Sequence, residues 1–103
     1  LYANVSTQQL QERLGGSPRP AVVDVRSEGE WKGGHIDGAL HIPVESLEQR
    51  LSDVPRDGTP LYLVCASGGR SSAAAEFLAK RGYLHVHNVE GGMNSWRGAV
   101  VQG

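Results

Sequence analysis

Cys65 is the only cysteine of the chain, and Arg70 follows it across four residues, Ala66, Ser67, Gly68 and Gly69. A thiol attacks or binds as its thiolate, so the chemistry open to Cys65 depends on whether its neighbours favour the charged form. An isolated cysteine is by default a small buried hydrophobe. The stretch Leu61-Tyr62-Leu63-Val64-Cys65-Ala66-Ser67-Gly68-Gly69-Arg70-Ser71 reverses that default. It reads as a strand, a tight glycine-containing loop and then a helix. In open parallel sheets, ligands bind at the carboxyl ends of strands, where such loops sit. A loop curled round the sulfur aims several backbone N–H groups at it, an anion nest at a helix N-terminus. Gly68 and Gly69 suit a ring whose backbone angles are closed to residues with a Cβ, although alone they fit an ordinary strand-to-helix turn equally well. The amides, the helix dipole and Arg70 all favour the thiolate, and cysteines in such surroundings titrate at roughly 3.5–7.5 instead of about 8.5.

The elements that must hold this loop follow from pattern. Leu61 to Val64 is a short apolar strand that ends directly at Cys65, and Ser71 to Arg81, rich in Ala, is a helix with Ala74, Phe77 and Leu78 on one face and Gly82 at its end. Upstream, Ser6 with Gln9 forms a capping box for a helix carrying Leu10 and Leu14, closed by Gly15-Gly16. Ala21 to Val25 is a buried β-branched strand. Ser27 with Glu30 caps a short helix running through Trp31 to Gly33-Gly34. Leu40 to Ile42 is a strand stopped by Pro43, after which Val44, Leu47 and Leu51 recur at helical spacing. Pro55 to Pro60 is a loop, Val86 to Val89 a further strand, and Gly91-Gly92 opens a last short helix containing Trp96. Strands alternating with helices imply a mostly parallel sheet covered on both faces, an α/β sandwich. No linker, repeat or low-complexity segment divides it, so residues 1–103 are expected to form a single domain.

Composition agrees. The chain is 39% apolar and 20% charged, ordinary for a globular protein, and its 103 residues suffice for one buried core. Ten basic and eleven acidic side chains leave a formal charge of −1, so no strong field argues for nucleic acid or a membrane surface as partner. No apolar run approaches the roughly 20 residues that span a bilayer, and no signal-peptide pattern opens the chain. One cysteine excludes both an internal disulfide and a multi-cysteine zinc site. The expected location is cytoplasmic. The first residue is Leu1 rather than Met, which also fits a processed form or an excised domain.

Four motifs, in order and with matching spacing, resemble those of the rhodanese family. Asp24-Val25-Arg26, with Glu30 and Trp31 following, resembles its Asp-x-Arg segment and acidic-aromatic pair. Gly34-His35-Ile36-Asp37-Gly38-Ala39 and Ile42-Pro43 resemble Gly-His-Ile-x-Gly-Ala and Ile-Pro. Cys65 to Ser71 resembles Cys-x-x-Gly-x-Arg-Ser, and Gly91-Gly92 with Trp96 resembles the closing Gly-Gly-x-x-x-Trp. The matched motifs span residues 21–96. The resemblance implies a five-stranded α/β sandwich with helices on both faces, and a thiosulfate sulfurtransferase that works by double displacement. Cys65 is then the nucleophile and Arg70 the loop-closing cation of the catalytic pair. Ala66, Ser67, Gly68, Gly69 and Ser71 line the substrate pocket, and Asp24 and Arg26 brace it. The alternative for Asp24 and Arg26 is a structural ion pair at a strand end. His35 reads as a turn residue with satisfied hydrogen bonds, and Trp96 as core or lid packing.

Loop length separates two chemistries within this resemblance. Related protein phosphatases and arsenate reductases have one more residue between the cysteine and the arginine. Four residues leave room for a single extra sulfur atom, whereas a tetrahedral phosphate needs a wider ring. The implied donor is thiosulfate or a persulfide. The implied acceptor is cyanide in an assay and a protein thiol or thioredoxin-like reductant in a cell. No metal or organic cofactor is called for. One departure concerns substrate: many thiosulfate-using members carry a basic residue just after the cysteine or two residues on, where this chain has Ala66 and Ser67. A persulfide-carrying protein is therefore a candidate donor. Two further readings remain open, a module for sulfur relay or docking within a larger protein and an inactive interaction domain. The intact Cys65 and Arg70 argue against the second.

Overall fold

The computed structural model describes residues 1–103. Strand β1 is Ala3–Val5 and helix α1 is Thr7–Leu14; β2 is Ala21–Asp24 and α2 is Glu28–Lys32; β3 is Leu40–His41. After two single 3₁₀ turns, Val44–Ser46 and Leu51–Asp53, come β4, Leu61–Val64, and α3, Gly69–Lys80, then β5, Val86–Val89, and α4, Gly92–Ser95. The strands form one sheet in the order β1-β5-β4-β2-β3, and every pairing is parallel. All strands therefore end at the same edge of the sheet, where the loop after β4 emerges.

The apolar β4 is central and all four of its residues are buried. Because side chains alternate across a strand, Leu61, Leu63 and Cys65 face one layer while Tyr62 and Val64 face the other. The first layer packs Val23, Val25, Ile42, Leu47 and Val54 with Ala74, Ala75 and Leu78 of α3. The second packs Val5, Val22, Ile36 and Val89 with Leu10 of α1, and Met93 and Trp96 lie against it. Helices thus cover both faces, as the sequence predicts. Burying a leucine of this kind is worth about 1.5–3 kcal/mol, so the strand end that carries Cys65 is fixed from two sides. No helix is long and apolar enough to cross a membrane.

Both expected capping boxes are present, Ser6 with Gln9 at α1 and Ser27 with Glu30 at α2. The structure differs from the sequence reading in four places. Strand β1 was not legible: it has three residues, two of them exposed, at the sheet edge beside β5. The helical spacing of Val44, Leu47 and Leu51 produces only the two 3₁₀ turns. This segment is tied to the sheet edge, with Val44 N–H donating to the Val25 carbonyl and Arg50 Nη1 to the His41 carbonyl. Helix α3 begins at Gly69, not Ser71, which brings Arg70 into its first turn. Trp96 stands just beyond α4 with extended backbone (φ −69°, ψ 128°), and its indole N–H donates to the Ala99 carbonyl.

Candidate active site

Val64 ends β4, and the chain then turns through Cys65 to Gly68 before α3 begins. Gly68 has φ +112°, a region that disfavours any residue with a Cβ, and this reversal brings its own amide back towards the sulfur. Gly68 N–H donates to Cys65 Sγ at 3.1 Å, and the Ser71 hydroxyl lies 3.3 Å from the same atom. The conformational requirement holds at Gly68 and not at Gly69. Gly69 opens α3, its φ lies outside the left-handed region, and the space beside it is open.

A loop whose amides point inward must send its carbonyls elsewhere, since each backbone group needs a partner. Here the Cys65 carbonyl accepts from Met93 N–H at 2.8 Å and the Ala66 carbonyl from Asn94 N–H at 2.9 Å. The amides of the first turn of α4 therefore hold these two carbonyls away from the sulfur. Gly92 makes the approach possible: it has φ +53°, and a Cβ there would run into the Cys65 carbonyl and stand 2.7 Å from that of Ala66. The Gly91-Gly92 motif thus belongs to the cysteine loop, although it lies on a different element.

Cys65 is only 1% exposed and forms the floor of the loop. Burial pushes its thiol up. The Ser71 hydroxyl and the amides of Ser71, Gly68 and Ser67 outweigh that effect, and the thiol titrates below the ordinary cysteine value. Ser71 is itself fully buried, and its oxygen also lies 2.6 Å from Asn88 Oδ1. Asn88 Nδ2 donates in turn to Asn4 Oδ1 at 3.1 Å. Asn88 was not singled out in the sequence. The available signal was a polar residue at a sheet position otherwise reserved for core, between Val86 and Val89.

Arg70 does not reach the sulfur with a hydrogen bond. Its guanidinium forms a two-point pair with Glu30, Nη1 to Oε1 at 2.8 Å and Nη2 to Oε2 at 3.0 Å. The Glu30 carboxyl is lowered to about 2, first by that bond, with burial opposing and the Ser27 amide and hydroxyl assisting. The arginine is driven further towards its charged form, chiefly by the same bond and against burial, with smaller attractions from Glu30, Cys65 and Asp24. The sequence marked Glu30 as a helix cap and part of a motif but did not join it to Arg70. The two lie forty positions apart, beyond any local pattern.

Asp24 and Arg26 lie at the end of β2, with Asp24 in register with Val64. They bind each other: Arg26 Nη2 reaches Asp24 Oδ2 at 2.8 Å, Nε reaches Oδ1 at 3.0 Å, and Nη2 also donates to the Gly34 carbonyl. Asp24 is 0% and Arg26 7% exposed, and neither hydrogen-bonds Cys65. His35 donates from Nδ1 to the Trp31 carbonyl and stacks on the Trp31 ring at 3.5 Å; His41 also stacks on Trp31, at 4.6 Å, and donates to the Arg26 carbonyl. Ser67 faces an open cleft of about 440 Å³ on the flank of the loop, shared with Tyr2, Asn4, Ser72, Asn88 and Glu90.

The model of the rhodanese-like domain matches residues 6–99. The chain belongs to the rhodanese-like family. Among curated proteins it is similar to YqhL of Bacillus subtilis, an uncharacterised protein, at 38% identity over 93% of this chain and 75% of that one. It is also similar to the thiosulfate sulfurtransferase GlpE of Ectopseudomonas mendocina, at 35% identity over 93% of this chain and 85% of that one. Among solved structures, a rhodanese-like domain protein from Staphylococcus aureus superposes with a TM-score of 0.90 at 32% identity, covering 98% of both chains. The parallel five-stranded sheet with helices on both faces is thus the rhodanese-like fold, and the sulfurtransferase name recurs among relatives of this chain.

Proposed function

We propose that this rhodanese-like protein is a sulfurtransferase that moves a sulfane sulfur through a persulfide on Cys65. The observation that carries the reading is the setting of Cys65 Sγ. It receives the Gly68 amide and faces the Ser71 hydroxyl, while the carbonyls of Cys65 and Ala66 are bonded to α4. Donors converge on the sulfur and acceptors are turned away, which suits an anion at rest and after it gains an atom.

In the first half-reaction the Cys65 thiolate attacks the outer sulfur of thiosulfate or of a persulfide. A new S–S bond forms at Sγ as the donor's S–S bond breaks, and its electron pair leaves with sulfite or with the donor thiolate. In the second, a thiol or cyanide takes the outer sulfur and the Cys65 thiolate is regenerated. None of these 103 residues offers a second thiol, so the sulfur leaves Cys65 for an acceptor outside them. The amides of Ala66 to Arg70 line the pocket, Arg70 closes the loop, and the Asp24–Arg26 pair braces its base through β2. A reducing compartment such as the cytoplasm would supply the thiol acceptors. Relay to a partner protein uses the same intermediate and differs only in acceptor.

The test is intact-protein mass spectrometry after exposure to thiosulfate and to a small persulfide. The expected result is a gain of about 32 Da at Cys65, lost on adding cyanide with release of thiocyanate, and absent in Cys65→Ser. No gain with either donor, together with hydrolysis of a phosphate ester, would instead support a phosphatase.

A further inference from the structure

The cation that closes the cysteine loop is already engaged. Arg70 is the only basic residue between Cys65 and Ser71, and both terminal nitrogens of its guanidinium bind the Glu30 carboxylate at 2.8 and 3.0 Å. The Glu30 carboxylate is not a loose surface group that an incoming anion could simply push aside. Its Oε1 also accepts from Ser27 N–H at 3.1 Å and from the Ser27 hydroxyl at 2.9 Å, the reciprocal half of the cap that starts α2. On the other flank of the loop, Glu90 lines the open cleft that Ser67 and Gly68 share.

From this arrangement we infer that Glu30 determines the donor class of the site: by neutralising Arg70 it disfavours dianionic thiosulfate and leaves persulfides of low charge as the preferred sulfur source. The inference rests on the sulfurtransferase reading above. Its electrostatics are simple to count. A Cys65 thiolate, an Arg70 cation and a Glu30 carboxylate sum to one negative charge, so a dianion meets net repulsion at the loop. A protonated persulfide, R–S–SH, meets none, because it brings no charge. Thiolate attack on its outer sulfur forms the Cys65 persulfide and expels R–S⁻, with the proton staying on the transferred sulfur. Atoms and charge balance without another reactant.

Glu30→Gln separates charge from architecture. Glutamine is itself a capping-box residue, so its amide oxygen can still accept from Ser27 while the negative charge is gone. The experiment measures the rate at which about 32 Da is added to Cys65 by thiosulfate and by an alkyl persulfide generated in situ, at low and high ionic strength. In Glu30→Gln the ratio of the thiosulfate rate to the persulfide rate is expected to rise about five- to tenfold at low salt. In the unaltered protein, added sodium chloride is expected to speed loading from thiosulfate, the sign for like charges, and in the variant this acceleration disappears. A ratio that stays put, or a thiosulfate rate in the unaltered protein that falls with salt, overturns the inference. The salt measurement needs no variant and decides the matter even if Glu30→Gln does not fold. If both donors load Cys65 but their ratio ignores Glu30, only this inference fails. If neither donor adds sulfur, the sulfurtransferase reading fails and this one with it.

Discussion

Ser71 stands between Cys65 and Asn88 with a single hydroxyl proton and two acceptors in reach, Cys65 Sγ at 3.3 Å and Asn88 Oδ1 at 2.6 Å. When the sulfur is ionised, the charge-assisted bond to Sγ is the stronger use of that proton. Asn88 Oδ1, which can only accept, then goes without that proton. Ser71→Ala removes the first influence that lowers the Cys65 thiol, so the pH at which iodoacetamide alkylation is half-maximal should move up, and alkylation near neutral pH should slow about three- to tenfold. An unchanged alkylation profile would show that the amides alone hold the thiolate.

The carbonyl clamp makes a second, sharper prediction. Gly92→Ala drives a Cβ into the carbonyls of Cys65 and Ala66 and places alanine at φ +53°. Strain and the loss of two hydrogen bonds should cost about 2–4 kcal/mol in urea unfolding. Gly69→Ala, facing open space within the first turn of α3, should be neutral or stabilising by up to about 1 kcal/mol. Equal losses at the two glycines would contradict the division of roles drawn above.

Asp24→Asn tests whether the buried pair is architecture. It leaves the Arg26 guanidinium, 7% exposed, without its counter-charge. Breaking a buried pair from one side typically costs about 3–5 kcal/mol, and thermal unfolding should show a loss of that size. A variant of normal stability with a raised KM for the sulfur donor would instead place Asp24 against substrate.

Two carboxyl and thiol shifts carry pH signatures of stability. Glu30 falls to about 2 in the folded protein from an ordinary value of 4.5. Its contribution is therefore complete above pH 4.5 and is lost as pH falls towards 2. The side chains of the pair are 35% and 39% exposed, so screening reduces the contribution to about 1 kcal/mol. Cys65 is also lowered, so stability should rise with pH between its folded value and the ordinary cysteine value, and Cys65→Ser should flatten that rise. Urea midpoints across pH, compared with Glu30→Gln and Cys65→Ser, measure both.

Much of this was legible in the residues. Leu61 to Val64 reads as a buried strand because it is apolar throughout, and Ser27 with Glu30 reads as a cap because both partners sit within one turn. Local patterns carry local structure. Strand β1 escaped because an edge strand of three residues with two exposed has almost no periodicity to detect. The Val44–Leu51 segment misled because its spacing is helical while its backbone is tied to the sheet edge. At the site, Cys65, Gly68, Arg70 and Ser71 fall in one continuous motif. Their partners Glu30, Asn88 and Met93 come from three other segments, and no spacing along the chain reports a contact made only by folding.

The dependence of the cysteine loop on α4 has a consequence for the order of synthesis. Translation delivers Cys65 well before Met93 and Asn94, whose amides finish its surroundings. A ribosome-bound chain that has emerged only through α3 holds the thiol without the amides that turn the Cys65 and Ala66 carbonyls away from it. The peptide frame around the sulfur is thus completed only once residues 93 and 94 are in place.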